Sequence, residues 1–143
     1  MNDRQRNENR DFPKGEKPNS KIEAIKAEWL DAGKINQATV EWANRMGEEL
    51  AIRKLTSSTF RRFFGEMRRI QSDFGKYAED VPLLQAKLAY DVGRKGDAVK
   101  DFYEILAPGI QAIHGEEQRF NRFVKLAEAL IAFHKYHYKG KDD

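Results

Sequence analysis

Large apolar residues recur along this chain at intervals of three and four, and no segment alternates apolar with polar positions over the length of a strand. The clearest run is Phe60, Phe63, Phe64, Met67, Ile70 and Phe74, which follows a Thr56/Ser57 cap and predicts an amphipathic helix from about Ser57 to Phe74. Before it, Ser20 can cap a helix carrying Ile22, Ile25, Trp29 and Leu30, closed by Gly33. Asn36 can cap a second, with Val40, Met46 and Leu50 as its stripe, an end near Arg53, and Gly47 as a weak point in its interior. Beyond the aromatic helix, Pro82 suits the first turn of a segment through Leu84, Leu88 and Val92 that ends in the stretch Gly93 to Gly96. Asp97 caps the next, which runs through Val99, Phe102, Tyr103, Ile105 and Leu106 until Pro108-Gly109 breaks or kinks it, with Ile110 and Ile113 available to continue the face. A last helix from about Glu116 to Tyr138 carries Phe120, Phe123, Val124, Ala127, Leu130 and Ile131.

These segments predict an all-α protein, a compact bundle of five to six helices, and the absence of an internal repeat argues against a solenoid. Residues 1–19 hold only Met1 and Phe12 as large apolar side chains, too few to offset the entropy of ordering, and are expected to be a disordered N-terminal tail of mixed charge. Residues 20–143 are expected to form a single helical-bundle domain, and a chain of this size buries roughly 68–70% of its unfolded surface. Without cysteine, disulfides, thiolate zinc sites, iron–sulfur clusters and cysteine nucleophiles are excluded. No apolar run approaches the roughly 20 residues of a membrane span, and Met1 to Ser20 lacks the apolar centre of a secretory signal. The expected location is the cytoplasm, with no membrane partner.

Charge changes this picture by where it sits. The chain totals +3, yet residues 53–76 alone carry Arg53, Lys54, Arg61, Arg62, Arg68, Arg69 and Lys76 against Glu66 and Asp73, a net of +5. At about 100° per residue, Arg61, Arg62, Arg68 and Arg69 fall within about 120°, opposite the aromatic row, with Ser58, Gly65 and Ser72 between them. Small residues framed by arginines let a flat or anionic partner approach the helix backbone closely. A solvated face normally mixes lysine with glutamate at four-residue spacing, whereas this arc is nearly unmixed, so a neutralising partner is expected. Phosphate suits best, because guanidinium grips its oxygens bidentately and counterion release supplies affinity.

Two smaller patches extend the arc. Lys87, Tyr90 and Arg94 lie at i, i+3 and i+7, where Tyr90 either stacks on a base or belongs to the core. Arg119 and Arg122 stand one turn apart at the start of the last helix, able to meet RNA, Glu116 or the carboxylates of a neighbouring subunit. With Lys54 from the same basic block, the candidate RNA-binding residues are Lys54, Arg61, Arg62, Arg68, Arg69, Lys87, Arg94, Arg119 and Arg122.

Catalytic machinery is thin. Three histidines, no cysteine and no phosphate-cradling glycine loop leave little for a nucleophile, base or metal. His134 and His137 are three apart, but no glutamate stands near them at ligand spacing, and Glu48-Glu49 and Glu116-Glu117 read as solvent-facing charge. No catalytic residue, metal or cofactor is therefore expected. Nor does the arginine helix carry the Asn, Gln and Arg set that reads base edges, so contacts to the backbone without sequence readout are expected.

The run Leu55-Thr56-Ser57-Ser58-Thr59-Phe60-Arg61-Arg62-Phe63, the segment Leu84-Gln85-Ala86-Lys87-Leu88-Ala89-Tyr90 with Arg94, and the ending Glu128-Ala129-Leu130-Ile131-Ala132-Phe133-His134-Lys135-Tyr136 resemble, in that order, the small subunit of type III-A CRISPR-Cas (Csm) effector complexes. The resemblance implies a helical bundle present in several copies, lining the inner side of a filament that holds the CRISPR RNA, and without nuclease activity of its own. It implies partners: CRISPR RNA and the target RNA paired to it, other subunits of the effector complex, and further copies of itself. Carried onto this chain, the implied RNA contacts fall on Arg61, Arg62, Arg68 and Arg69, then on Lys87 and Arg94. Phe133 stands where a tyrosine is expected and Thr59 where a glutamine is, and neither departure touches a basic position. The competing reading is a helical scaffold or adaptor whose arginines meet acidic surfaces of partner proteins.

Overall fold

A few side chains decide where the helices begin and end. The computed structural model describes residues 21–139, so the tail expected over 1–19, the Ser20 cap and residues 140–143 lie outside the described residues. Within them the chain forms α1 (Gln37–Ile52), α2 (Ser57–Ser72), α3 (Phe74–Tyr77), α4 (Leu83–Lys95), α5 (Asp97–Gln111) and α6 (Glu117–His137), with short 3-10 turns at Ala27–Leu30 and Ala78–Asp80 and no strand. Asn36 starts α1 through a reciprocal cap: its Oδ1 accepts from the N–H groups of Ala38 and Thr39 at 3.0 and 3.3 Å, and the Asn36 N–H donates to Thr39 Oγ1 at 2.9 Å. α2 stops two residues short of the expected Phe74, because Asp73 leaves helical geometry (φ −157°, ψ 78°) and its carboxylate accepts from the Lys76 N–H to begin α3. α5 passes through Pro108 instead of breaking there, and Ala112 N–H closes it on the carbonyls of Pro108 and Gly109 at 3.2 and 3.1 Å. Continuing the helix keeps Ile110 on the buried face, and Ile113 just beyond it is buried too.

Of the helix expected to run from the Ser20 cap through Leu30, the described residues form only the 3-10 turn Ala27–Leu30. Residues 21–26 have no regular secondary structure, and their backbone finds partners in other elements: Ile25 N–H donates to the Ile105 carbonyl at 3.0 Å, and the Trp42 indole donates to the Glu23 carbonyl at 2.8 Å. A segment whose polar groups are satisfied by tertiary contacts gains nothing from winding. Ile25 and Leu30 are buried regardless. In α1 the core face is carried by Trp42, Ala43, Met46 and Leu50, while Val40, expected in the stripe, is exposed.

One core unites these helices, with Phe60 and Phe63 of α2 edge-on to Phe102 of α5 at centroid distances of 5.2 and 5.8 Å, and Phe63 reaching Phe123 of α6 at 6.4 Å. α1 and α6 approach closely at Gly47, where an added Cβ would sit 2.6 Å from the His134 backbone nitrogen and 2.7 Å from Phe133 Cβ. The residue that weakens α1 as an isolated helix is the one that admits α6. His134 is buried there, donates from Nε2 to the Leu55 carbonyl at 2.7 Å, and stands edge-on to Phe60 at 4.5 Å, so α6 grips the turn that leads into α2.

Two glycine substitutions should therefore act oppositely in chemical denaturation. Gly47→Ala should lower stability by about 1–3 kcal/mol through overpacking. Gly65→Ala, on the exposed side of α2 with nothing within 4 Å of the new methyl, should raise it by about 0.5–1 kcal/mol. A Gly47→Ala protein as stable as the parent would contradict the close α1–α6 packing.

Candidate nucleic-acid interface

Burial of Thr59, Phe60, Phe63, Met67 and Ile70 leaves α2 with Arg61, Arg62, Gly65, Arg68 and Ser72 exposed and Arg69 half-buried. The four arginines split between two flanks. Toward α6, Arg61 donates to Ser57 Oγ at 2.9 Å beside Ile131 and Lys135, and Arg68 pairs with Glu128 at 2.7 Å while lying 4.9 Å from the centre of the Phe64 ring. Toward α4, Arg62 pairs with Asp91 at 2.9 Å, and Arg69 pairs with Asp80 at 2.6 Å and Glu66 at 3.2 Å, over the ring of Tyr77 at 4.5 Å.

The α4 flank is an antiparallel ladder. Lys95 meets Ser58 at 3.2 Å, Asp91 meets Arg62 at 2.9 Å, and Lys87 meets Glu66 at 2.8 Å, so each four-residue step along α2 is answered by four residues back along α4. Arg94 lies 3.8 Å from the carboxylate of the same Asp91, whose side chain is only 12% exposed. The Lys87 ammonium, joined by the Arg69 guanidinium, holds the Glu66 carboxyl below the usual carboxylate range despite the opposing effect of burial. Hydrogen bonds to Asp80 and then Glu66 raise Arg69 above its ordinary value. Beside the ladder runs a groove of about 660 Å³, floored by Phe63, Leu84 and Leu88 and edged by Arg62, Lys87, Tyr90 and Arg94.

The structure thus gathers Arg62, Arg69, Lys87 and Arg94 along one seam and leaves Arg61 and Arg68 on the other flank of the same helix. Lys54 is exposed in the turn before α2, in left-handed backbone geometry (φ 67°). Arg119 and Arg122 stand apart at the start of α6. Arg119 donates to the carbonyls of Ala112 and Ala27 at 2.7 and 3.2 Å and pairs with Asp31 at 2.6 Å, while Arg122 donates to the Leu30 carbonyl at 2.9 Å, so both clasp the turn at 27–31. Arg53, part of the basic block, pairs with Asp101 and Glu49 and joins α1 to α5. His134 and His137 have separate tasks, His137 meeting Asn44 at 2.6 Å. Among the described residues no group of three His, Asp or Glu could hold a metal ion.

The expectation of a nearly unmixed arc is corrected in one respect: Asp91, Glu128 and Asp80, distant in sequence, bring carboxylates to Arg62, Arg68 and Arg69. One of them left a trace in the sequence, since Asp91 shares the α4 stripe of Lys87 and Arg94. Lys95 was missed as a member of the seam.

Glu66 links Lys87 to Arg69, and its folded pKa lies below its unfolded one. Its stabilisation is therefore complete above the unfolded value and disappears as pH falls through the folded value. Glu66→Gln should lose less than about 1 kcal/mol at neutral pH, given its partial exposure. Thermal melts of variant and parent should begin to draw together as the pH falls through the ordinary glutamate range and should converge only at still lower pH.

A family model described as Csm2 Type III-A matches residues 33–141, a span that takes in all six helices. Comparison with curated proteins and with solved structures gives no match. The family resemblance carried by residues 55–138 is thereby borne out and extended through α1. The chain belongs to the Csm2 Type III-A family and is a small subunit of type III-A Csm effector complexes.

Proposed function

We propose that α2 and the α2–α4 seam support guide and target RNA in the effector complex through the phosphate backbone, without reading its sequence and without cleaving it. The observation that carries this reading is exposure despite pairing. Arg62, Arg68, Lys87 and Arg94 keep 49, 56, 52 and 50% of their side-chain surface open while ion-paired. A guanidinium has five N–H donors, so one carboxylate leaves others for phosphate. Along the seam, Arg62, Arg69, Lys87, Arg94 and Lys95 outnumber Glu66, Asp80 and Asp91, and the potential there remains positive. In this reading Lys54 extends the basic face, Arg119 and Arg122 serve the fold, and several copies of the chain line the RNA.

The internal ion pairs also suit the adaptor reading, in which acidic protein surfaces replace Asp91 or Glu128. The two separate cleanly with neutral substitutions, since glutamate at 62 or 68 would face those carboxylates and disturb the fold. A complex carrying Arg61→Gln, Arg62→Gln, Arg68→Gln and Lys87→Gln together should assemble and melt near the parent. It should bind RNA of any sequence more weakly, with the slope of log K against log salt smaller by about 0.7 per lost contact. Parental RNA affinity and slope, with assembly lost instead, would establish the adaptor role and end the RNA reading.

A further inference from the structure

Phosphate binding uses the cations of the α2–α4 seam but leaves the apolar groove beside them without a purpose. Phe63, Leu84 and Leu88 close its floor, yet Leu83 and Tyr90 at its edge stay 51% and 68% exposed. Leu83, Lys87, Tyr90 and Arg94 follow one another at i, i+4, i+7 and i+11, a single stripe of α4 that interleaves apolar and aromatic surface with positive charge. The Arg94 guanidinium lies 5.7 Å from the Tyr90 ring centre. Glu66 and Asp91 also line the groove, and their oxygens would repel a phosphate placed on the floor.

An occupant that fits has flat apolar faces for Tyr90 and the leucines, N–H donors for Glu66 or Asp91, and an anionic tether for Arg62, Lys87 and Arg94. A nucleotide has all three: a stacking face, exocyclic amines on most bases, and phosphates on both sides. An apolar peptide helix brings no anion, and a paired base has its faces covered by its neighbours. We propose that the groove holds one unpaired nucleobase of the bound RNA, stacked on Tyr90, with the flanking phosphates on Arg62, Lys87 and Arg94. This rests on the RNA-binding reading and adds to it a contact with a base, tolerant of sequence because every base has a stacking face.

The test uses the full chain, alone and in the assembled complex, with RNA duplexes carrying one unpaired 2-aminopurine or, as control, one abasic residue. Parent protein should change the 2-aminopurine emission. Tyr90→Ala should abolish that change and weaken binding by roughly five-fold or more, whereas Tyr90→Phe should match the parent. The abasic duplex should bind parent and Tyr90→Ala alike. If Tyr90→Ala leaves emission and affinity unchanged while the four-glutamine protein loses RNA, the base site is wrong and the backbone reading stands. If the parent binds neither duplex at any salt concentration, both fall. If Tyr90→Ala weakens assembly with other subunits and spares RNA, the groove is a protein-docking surface and the proposal is overturned.

Discussion

A helix that must bury Phe60, Phe63, Met67 and Ile70 has little choice about where it puts Arg61, Arg62, Arg68 and Arg69. Burying one large apolar side chain is worth about 1.5–3 kcal/mol, whereas a half-exposed ion pair is worth about 0–1 kcal/mol. The aromatic row therefore sets the rotation of α2, and the charges follow. Each arginine emerges at the margin where α2 meets α4 or α6, and there a long side chain lies along a neighbouring helix before it reaches water. Carboxylates on those neighbours are the natural consequence: Asp91 on α4 for Arg62 and Glu128 on α6 for Arg68.

α6 is the element that keeps this arrangement in place. At its start, Arg119 and Arg122 hold the carbonyls of the turn at 27–31. In its middle, Glu128 receives Arg68. Near its end, Phe133 and His134 press on Gly47, and His134 anchors the Leu55 carbonyl just before α2 begins. The basic face is thus oriented along one flank by a single helix. Disturbing the Gly47 contact would move the turn at Leu55, and with it the register between α2 and α4 on which the ladder depends.

Sequence periodicity was enough to find α2, α4 and the long α6, because each carries an apolar stripe at helical spacing. It misled where tertiary partners replaced local ones. Ile22 to Leu30 has helical spacing, but Ile25 and Glu23 bond across to Ile105 and Trp42, an arrangement no local pattern encodes. Gly47 reads as a defect until α6 lies against it. The candidate site divides along the same line: which arginines share the outer face of α2, and the Arg69–Glu66 pair three residues apart, follow from 3.6-residue geometry, while Asp80, Asp91 and Glu128 come from other elements, out of reach of periodicity. Arg119 and Arg122 illustrate the limit, since an exposed arginine and one bonded to distant carbonyls look the same in sequence.

A carboxylate 2.9 Å from a guanidinium has two opposed effects on an arriving phosphate. It repels the phosphate, but at separations of about 7 Å through largely aqueous surroundings that repulsion is roughly 0.6 kcal/mol, and salt screens it further. It also holds the guanidinium in position, so that less of the roughly 2 kcal/mol of side-chain entropy available to a loose arginine is lost on binding. The terms are of similar size and opposite sign, and each paired arginine is then a modest contact, ordered in advance and neither strong nor costly. In the proposed RNA-binding role, a face built from several such contacts would draw its affinity from their number along the backbone, which would place no demand on the sequence of the RNA.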